Sequence, residues 1–137
     1  MAESTLSIST EEKQGRVPVT VIHLKGDLDG NTYEQLQKKA DEVFQAGARN
    51  LILDLSQVPF ISSAGIRGLH YVFNLLRTDS VSESDQAISK GLRDGTFKSP
   101  HLKLLSPNPN VGSLLKVTGY DMFLEIHYSL NDAVESF

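Results

Sequence analysis

The alternation of apolar and polar residues near the start of the chain predicts two β-strands. Leu6 and Ile8 alternate with polar residues over 5–9, and a second stretch rich in apolar residues covers 17–24. A polar stretch at 11–15 separates the two, so we expect an opening hairpin that turns at those residues.

Apolar residues spaced three and four apart predict an amphipathic helix over about 32–46. Asn31 and Glu34 have the spacing of a capping box, which would satisfy the first free N–H groups of that helix. Gly47 follows the pattern and suits the left-handed residue at which helices often stop.

A short run at 51–55, apolar apart from Asp54, comes after that helix. Such a run is typical of a strand that is buried on both faces of a sheet with parallel pairing. A second helix is predicted to begin near Ser62 or Ser63, and its apolar stripe consists of Ile66, Leu69, Phe73 and Leu76. This alternation of strands and helices predicts a parallel β-α-β crossover.

The periodic pattern breaks down over 78–100, where five serines and mixed charges surround scattered apolar residues. We expect this segment to be a mobile insertion or to contain a short helix. The remaining predicted elements are a strand at 102–105, a helix around 110–117 that stops at Gly119, a strand near 123–128, and a short helix capped by Ser129 or Asn131. The order of elements predicts a single α/β domain over 1–137.

Composition and charge exclude several classes of function. A chain of 137 residues has the size of one domain. Its formal net charge of −4, with no basic run, argues against direct binding to nucleic acid. No stretch is apolar over the length of a membrane span and no signal-peptide pattern is present, so we expect a cytoplasmic protein without membrane insertion. The absence of cysteine excludes thiolate metal sites and thiol catalysis.

Local patterns give little support for an enzyme. Asp54 closes an apolar run, as the phosphoacceptor of a response-regulator receiver does, but the acidic pair and the late lysine of a receiver are missing. A carboxylate at a strand end or in a turn is therefore the better interpretation of Asp54. The four histidines lack metal-binding spacing, and neither a nucleophile elbow nor a phosphate-binding loop is present. We therefore predict a protein that is not an enzyme.

Ser62 and Ser63 lie where a buried strand is predicted to meet the start of a helix. The free N–H groups at a helix start favour an anion, so a phosphoserine would be stable there. Capping of the helix by one of the two hydroxyls is the other interpretation.

Four motifs follow one another along the chain: Gly26-Asp27-Leu28-Asp29, Leu51-Ile52-Leu53-Asp54-Leu55, the run from Val58 through Phe60-Ile61-Ser62-Ser63-Ala64-Gly65-Ile66, and Ser106-Pro107 followed by Val111, Leu114, Leu115, Thr118 and Gly119. Together they resemble the STAS domain of bacterial anti-sigma factor antagonists. The resemblance covers nearly the whole chain apart from the first few residues and 78–100. It implies a four- or five-stranded mixed sheet with helices packed mainly on one side, and a function in protein binding without catalysis or a cofactor.

The resemblance also implies the site. Ser63 matches the serine that is phosphorylated in the family, and Ser62 is a possible alternative acceptor. Asp29 matches an acidic loop residue near the acceptor, and Asp29, Ser62, Ala64 and Gly65 are expected to contact the partner. Ser62 replaces the acidic residue that precedes the acceptor in relatives.

The function implied by the resemblance is partner switching. Without phosphate, the domain would bind an anti-sigma factor serine kinase and so free the sigma factor. Phosphate on Ser63, taken from the ATP of the kinase, would cancel the binding, and a serine phosphatase would restore it. The alternatives are a STAS scaffold or transport-complex subunit that works without phosphorylation, and a sensor of a small ligand.

Overall fold

A computed structural model describes residues 6–77, 99–122 and 124–137. The strands in these ranges are β1 (Ser7–Gln14), β2 (Pro18–Lys25), β3 (Leu51–Gln57), β4 (Leu102–Leu105) and β5 (Glu125–His127). The helices are α1 (Tyr33–Gln45), α2 (Ile66–Arg77), α3 (Pro109–Thr118) and α4 (Leu130–Glu135), with a 3₁₀ turn at Tyr120–Met122. The predicted α/β class and order of elements are confirmed.

The five strands form one mixed sheet in which each strand lies beside its neighbour in the sequence. β1 and β2 pair antiparallel, whereas β2, β3, β4 and β5 are all parallel. The carboxyl ends of these four strands therefore meet at one edge of the sheet. Binding sites of α/β proteins are commonly built from the loops at that edge.

The two faces of the sheet are covered unequally. α1, α2 and α3 contribute Leu36, Leu69 and Leu115 to the larger apolar core on one face. Among the described helices, only α4 packs on the other face, where Val134 belongs to a smaller cluster with Val21. The predicted packing of helices mainly on one side of the sheet is confirmed.

The turn of the opening hairpin lies later in the chain than the sequence predicts. β1 continues to Gln14, which pairs with Pro18, so the predicted turn at 11–15 is wrong. The chain reverses just beyond it, where the N–H of Gly15 donates to the C=O of Val17 (3.2 Å). Because β1 is an edge strand and most of its residues are exposed, polar residues occupy it without the expected alternation.

The first helix ends as predicted but is capped differently. Gly47 follows α1 with a φ of 109°, in the left-handed region. The predicted capping box of Asn31 and Glu34 does not form, because the residue before the helix is Thr32 and its side chain makes no capping bond. The hydroxyl of Thr32 is used elsewhere, as described below.

The second helix begins at Ile66, later than the predicted start at Ser62 or Ser63. Residues 63–65 form a turn that leads into it. The N–H of Ile66 donates to the C=O of Ser62 (3.1 Å), so this turn continues directly into α2.

The last two helices have the predicted ends. Gly119 closes α3 with a φ of 83°, and the hydroxyl of Ser129 accepts a hydrogen bond from the N–H of Asp132 (3.4 Å) at the start of α4. Most of the predicted mobile insertion at 78–100 lies outside the described residues, apart from its last two positions, of which Ser99 is buried. In the part of the chain that is described, no helix has the length and apolar character of a membrane span.

Candidate functional site

The loop after β2 and the turn after β3 are joined by backbone hydrogen bonds. The N–H of Leu28 donates to the C=O of Phe60 (3.0 Å), and the N–H of Ser62 donates to the C=O of Leu28 (3.0 Å). The two bonds form a parallel bridge that extends the pairing of β2 with β3 beyond the ends of the strands. Asp29 and Ser63 each follow directly on a bonded residue, so the structure brings these two predicted site residues to the same edge of the sheet.

Gly65 holds this loop and turn in close contact. A Cβ atom at Gly65 would lie 2.7 Å from the carbonyl carbon of Leu28 and 3.2 Å from the backbone nitrogen of Asp29. Both positions are backbone and cannot swing aside, so only glycine fits. Gly65 is buried, and the structure therefore gives it a packing role, whereas its contact with a partner stays a prediction.

Ser62 is built into the turn through three of its polar groups. Its hydroxyl accepts a hydrogen bond from the N–H of Gly65 (3.0 Å). Its own N–H and C=O are taken by Leu28 and Ile66. Ser62 therefore has the capping role that the sequence left open between the two serines.

Ser63 differs from its neighbour in its exposure and in its hydroxyl. Its side chain is exposed. Its hydroxyl makes no hydrogen bond to any residue that the structure describes. Ala64, the next predicted contact residue, is half-buried and lies 3.4 Å from the position that a Cβ of Gly30 would take. The turn thus presents one free hydroxyl, that of Ser63, on a rigid support.

The loop that carries Asp29 is organised by a residue that the sequence pattern does not mark. Thr32 is fully buried. Its hydroxyl accepts from the N–H of Asp29 (2.9 Å) and lies within donating distance of the C=O of Asp27 (2.8 Å) and of Oδ1 of Asp29 (3.2 Å). A threonine before a helix has the pattern of a cap, and no local pattern shows that its hydroxyl bonds back to the loop, so the part that Thr32 has there goes unrecognised in the sequence.

An apolar groove of about 400 Å³ lies between α3 and the segment that leads from β3 to Ser63. It is lined by Phe60, Ile61, Asn110, Ser113, Leu114 and Val117. Phe60 is 52% exposed and Val117 is 85% exposed, although both are large apolar residues. Exposed apolar groups clustered in one place mark interaction surfaces more often than scattered ones do. From sequence alone these residues cannot be told from core residues.

Asn108 fixes the two walls of the groove relative to each other. Its side-chain oxygen accepts a hydrogen bond from the N–H of Val111 (2.8 Å) and so caps α3. Its side-chain nitrogen donates to the C=O groups of Val58 (3.3 Å) and Pro59 (3.2 Å). One side chain therefore holds the start of α3 beside the segment that carries Phe60.

Asp54 lies far from these groups and does not have the predicted role. β3 continues to Gln57, so the prediction that Asp54 is a strand-end or turn carboxylate is wrong. Its carboxylate points to the face of the sheet that carries α4, where Oδ2 lies 2.6 Å from Nδ1 of His23. The other ring nitrogen of His23 lies 2.8 Å from a carboxylate oxygen of Glu11.

Hydrogen bonds favour the charged forms of His23 and Asp54. Burial alone would lower the pKa of His23, but the hydrogen bonds to Asp54 and Glu11 outweigh it and raise that pKa. Burial alone would raise the pKa of Asp54, but the bonds from Ser56 and His23 lower it. Glu11, His23 and Asp54 thus form a row of interacting charged groups across β1, β2 and β3, which we call the charged strap. In the described ranges, no group of three or more acidic or histidine side chains could hold a metal ion.

The sequence of this chain matches a known family, and its fold is similar to those of solved structures. The family model of the STAS domain matches residues 8–82, just over half of the chain. A search of curated proteins by sequence found no match. The predicted resemblance to a STAS domain is confirmed.

Solved structures agree with this match at the level of the fold. An anti-sigma factor antagonist from Mycobacterium paratuberculosis is 20% identical with a TM-score of 0.72, covering 97% of this chain and 94% of that one. The anti-sigma factor antagonist SpoIIAA in its unphosphorylated form is 19% identical with a TM-score of 0.65, covering 94% of both chains. The phosphorylated form of SpoIIAA, a Bacillus cell fate determinant, is 18% identical with a TM-score of 0.60, covering 94% of this chain and 97% of that one.

Proposed function

Because the chain belongs to the STAS domain family, we propose that it is an anti-sigma factor antagonist controlled by phosphorylation of Ser63. Without phosphate, the surface around Ser63 binds an anti-sigma factor serine kinase, and the kinase releases its sigma factor. Phosphate on Ser63 cancels the binding, and a serine phosphatase restores it. The domain acts in the cytoplasm by binding alone, without catalysis, and the ATP belongs to the kinase.

The observation that carries this proposal is the difference between the two serines. Ser62 uses its hydroxyl to accept the N–H of Gly65, whereas the hydroxyl of Ser63 is exposed and holds nothing among the described residues. A kinase can reach Ser63 without opening the turn. Phosphorylation of Ser62 would first have to break the bond to Gly65.

The surroundings of Ser63 support the way in which phosphate would act. A phosphoserine carries about −1.5 to −2 charges at neutral pH. A partner that covers the apolar groove beside Phe60 and Val117 would also remove water from that phosphate, which is costly unless the partner offers a matching cation. The fold itself is expected to survive, because the hydroxyl of Ser63 makes no hydrogen bond within the described parts of the chain.

The proposal is tested with the full chain, ATP and an anti-sigma factor serine kinase from the same organism. The phosphorylated residue is mapped by mass spectrometry, and kinase affinity is measured by titration. We expect phosphate on Ser63, constitutive binding by Ser63→Ala, and at least about tenfold weaker binding by a folded Ser63→Asp, since each ~1.4 kcal/mol lost at an interface lowers affinity tenfold.

Ser62→Ala is the matched control, and we expect it to be phosphorylated like the wild type. Phosphate found on Ser62 alone would move the switch by one residue. No phosphate on either serine, together with normal binding by Ser63→Asp, would overturn the switch.

One observation favours a second candidate, a STAS scaffold that uses the same surface without phosphorylation. Ser62 occupies the position at which the resembling antagonists have an acidic residue, so the sequence read by a family kinase is altered. Binding of the kinase or another partner by a chain that is never phosphorylated in cells would support this alternative.

A further inference from the structure

We infer that Thr32 is the positioning residue of the proposed partner-binding surface. Its buried hydroxyl fixes the loop that carries Asp29 against the turn that carries Ser63. This inference rests on the proposed function, because it concerns how that same surface is held in shape.

The hydroxyl of Thr32 connects the residues on both sides of Leu28. It accepts the N–H of Asp29 (2.9 Å), and its single proton is shared between the C=O of Asp27 (2.8 Å) and the carboxylate of Asp29 (3.2 Å). The same carboxylate accepts the N–H of Asn31 (2.9 Å). One buried hydroxyl therefore fixes the backbone of the loop and the direction of the Asp29 side chain.

The position of the loop is passed on to the serine turn through Leu28. The N–H and the C=O of Leu28 are bonded to Phe60 and Ser62, and Gly65 packs against that C=O. Without the hydroxyl, the C=O of Asp27 and the N–H of Asp29 lose their partner on either side of Leu28. The support of the Ser63 turn would loosen at the same time.

A capping role for Thr32 does not explain these contacts. A capping side chain accepts an N–H from the helix that follows it, whereas the hydroxyl of Thr32 bonds backwards to the loop and makes no capping bond. The N–H groups of Thr32 and Tyr33 are satisfied by the C=O of Asp29 (3.2 and 2.9 Å). The hydroxyl is therefore dispensable for starting α1 and needed for the loop.

The test compares Thr32→Val, which keeps the shape and removes the hydroxyl, with Thr32→Ser, which keeps the hydroxyl. We expect Thr32→Val to weaken binding of the anti-sigma factor serine kinase by about tenfold or more, since it leaves polar groups of the loop unpaired. Hydrogen exchange of the Asp29 amide should become about tenfold faster through local opening. Thr32→Ser should restore both, and Thr32→Ala replaces the valine variant if that one does not fold.

Val134→Ala is the control for loss of stability alone, because Val134 lies in the small cluster on the opposite face of the sheet. It should lower the melting temperature and leave kinase affinity unchanged. The inference is overturned if Thr32→Val binds like the wild type, if Thr32→Ser fails to restore binding, or if Val134→Ala loses as much affinity. A wild-type chain that binds no kinase defeats the proposed function instead, and Asp29 exchange then decides the role of Thr32 by itself.

Discussion

Nδ1 of His23 on β2 lies 2.6 Å from Oδ2 of Asp54 on the neighbouring strand β3. Its other ring nitrogen lies 2.8 Å from a carboxylate oxygen of Glu11 on β1, the neighbouring strand on the other side. A neutral imidazole has only one N–H and can donate to only one of these carboxylates. Both bonds are donated at once only when His23 is protonated. The strap across β1, β2 and β3 is therefore strongest as an imidazolium between two carboxylates.

This geometry predicts that the stability of the protein falls as the pH rises above neutral. The pKa of His23 is raised in the folded chain above its unfolded value of about 6.5. Its contribution is thus complete below that pH and is lost as the pH rises through the higher folded pKa. The lowered pKa of Asp54 acts only in acid, where its contribution is lost as the pH falls through the folded value.

Urea unfolding of the wild type and His23→Gln at pH 5.5 and pH 8.5 measures this effect. The difference in unfolding free energy between the wild type and His23→Gln should be smaller at pH 8.5 than at pH 5.5. We expect this loss to reach up to about 1 kcal/mol, the size expected for a partly exposed ion pair. The other three histidines are present in both proteins, so any effect of theirs on the unfolding free energy cancels when the two proteins are compared. A difference that is the same at both pH values would show that His23 is not charged in the strap.

Gly65→Ala is predicted to destabilise the fold. The added Cβ would collide with the backbone of Leu28, so the loop or the turn must move, at a cost of about 1–3 kcal/mol. Gly112→Ala in α3 is the matched control, because a Cβ there meets nothing within 4 Å. It should be neutral or stabilising by up to about 1 kcal/mol. Equal effects of the two changes in urea unfolding would contradict the packing role of Gly65.

The two adjacent serines are predicted to contribute differently to stability. Ser62→Ala removes the acceptor of the Gly65 N–H and should cost about 1 kcal/mol of unfolding free energy, as loss of a cap does. Ser63→Ala should change the unfolding free energy by less than about 0.5 kcal/mol, as surface substitutions usually do. Denaturant titration measures the unfolding free energy of both variants. A larger loss of stability in Ser63→Ala than in Ser62→Ala would contradict the structural role of Ser62.

The apolar groove is predicted to contribute to binding and little to folding. Val117 is 85% exposed, so Val117→Ser should leave the melting temperature nearly unchanged while weakening the kinase complex several-fold. Met122→Ser, at a residue that is 57% exposed and does not line the groove, serves as the control and should bind normally. Titration of the two variants against the same kinase separates them. Normal binding by Val117→Ser would remove the groove from the proposed surface.

The sequence predicts most of the fold because the buried elements impose strong periodic patterns. The apolar run at 51–55 and the stripe that includes Leu69 and Leu76 could belong only to buried elements. The sequence pattern predicts β1 too short, because an edge strand with exposed side chains does not need apolar residues at every second position. Local spacing is therefore a good guide to the core and a poor one to the edge of the sheet.

The site could be predicted only in part, because its chemistry depends on contacts between distant residues. The resemblance to the family makes Ser63 and Asp29 candidate site residues, but the hydroxyl bond that distinguishes Ser62 from Ser63 depends on the three-dimensional geometry of the turn. The partnership of Asp54 with His23 depends on the register of two strands that are separated by a helix in the chain. No local pattern contains that register.

The order of the strands in the sheet has a consequence for the growing chain on the ribosome. Each strand pairs with the one made immediately before it, from β1 to β5. A newly made strand therefore always adds to the free edge of what is already folded, and no strand has to enter between two that are paired. The parallel pairs still join residues far apart in the sequence, such as Leu51 and Leu102, so each added strand closes a long loop and its pairing is slow. The charged strap on β1, β2 and β3 can close once residue 54 has emerged from the ribosome, before α2, β4 and β5 have emerged after it.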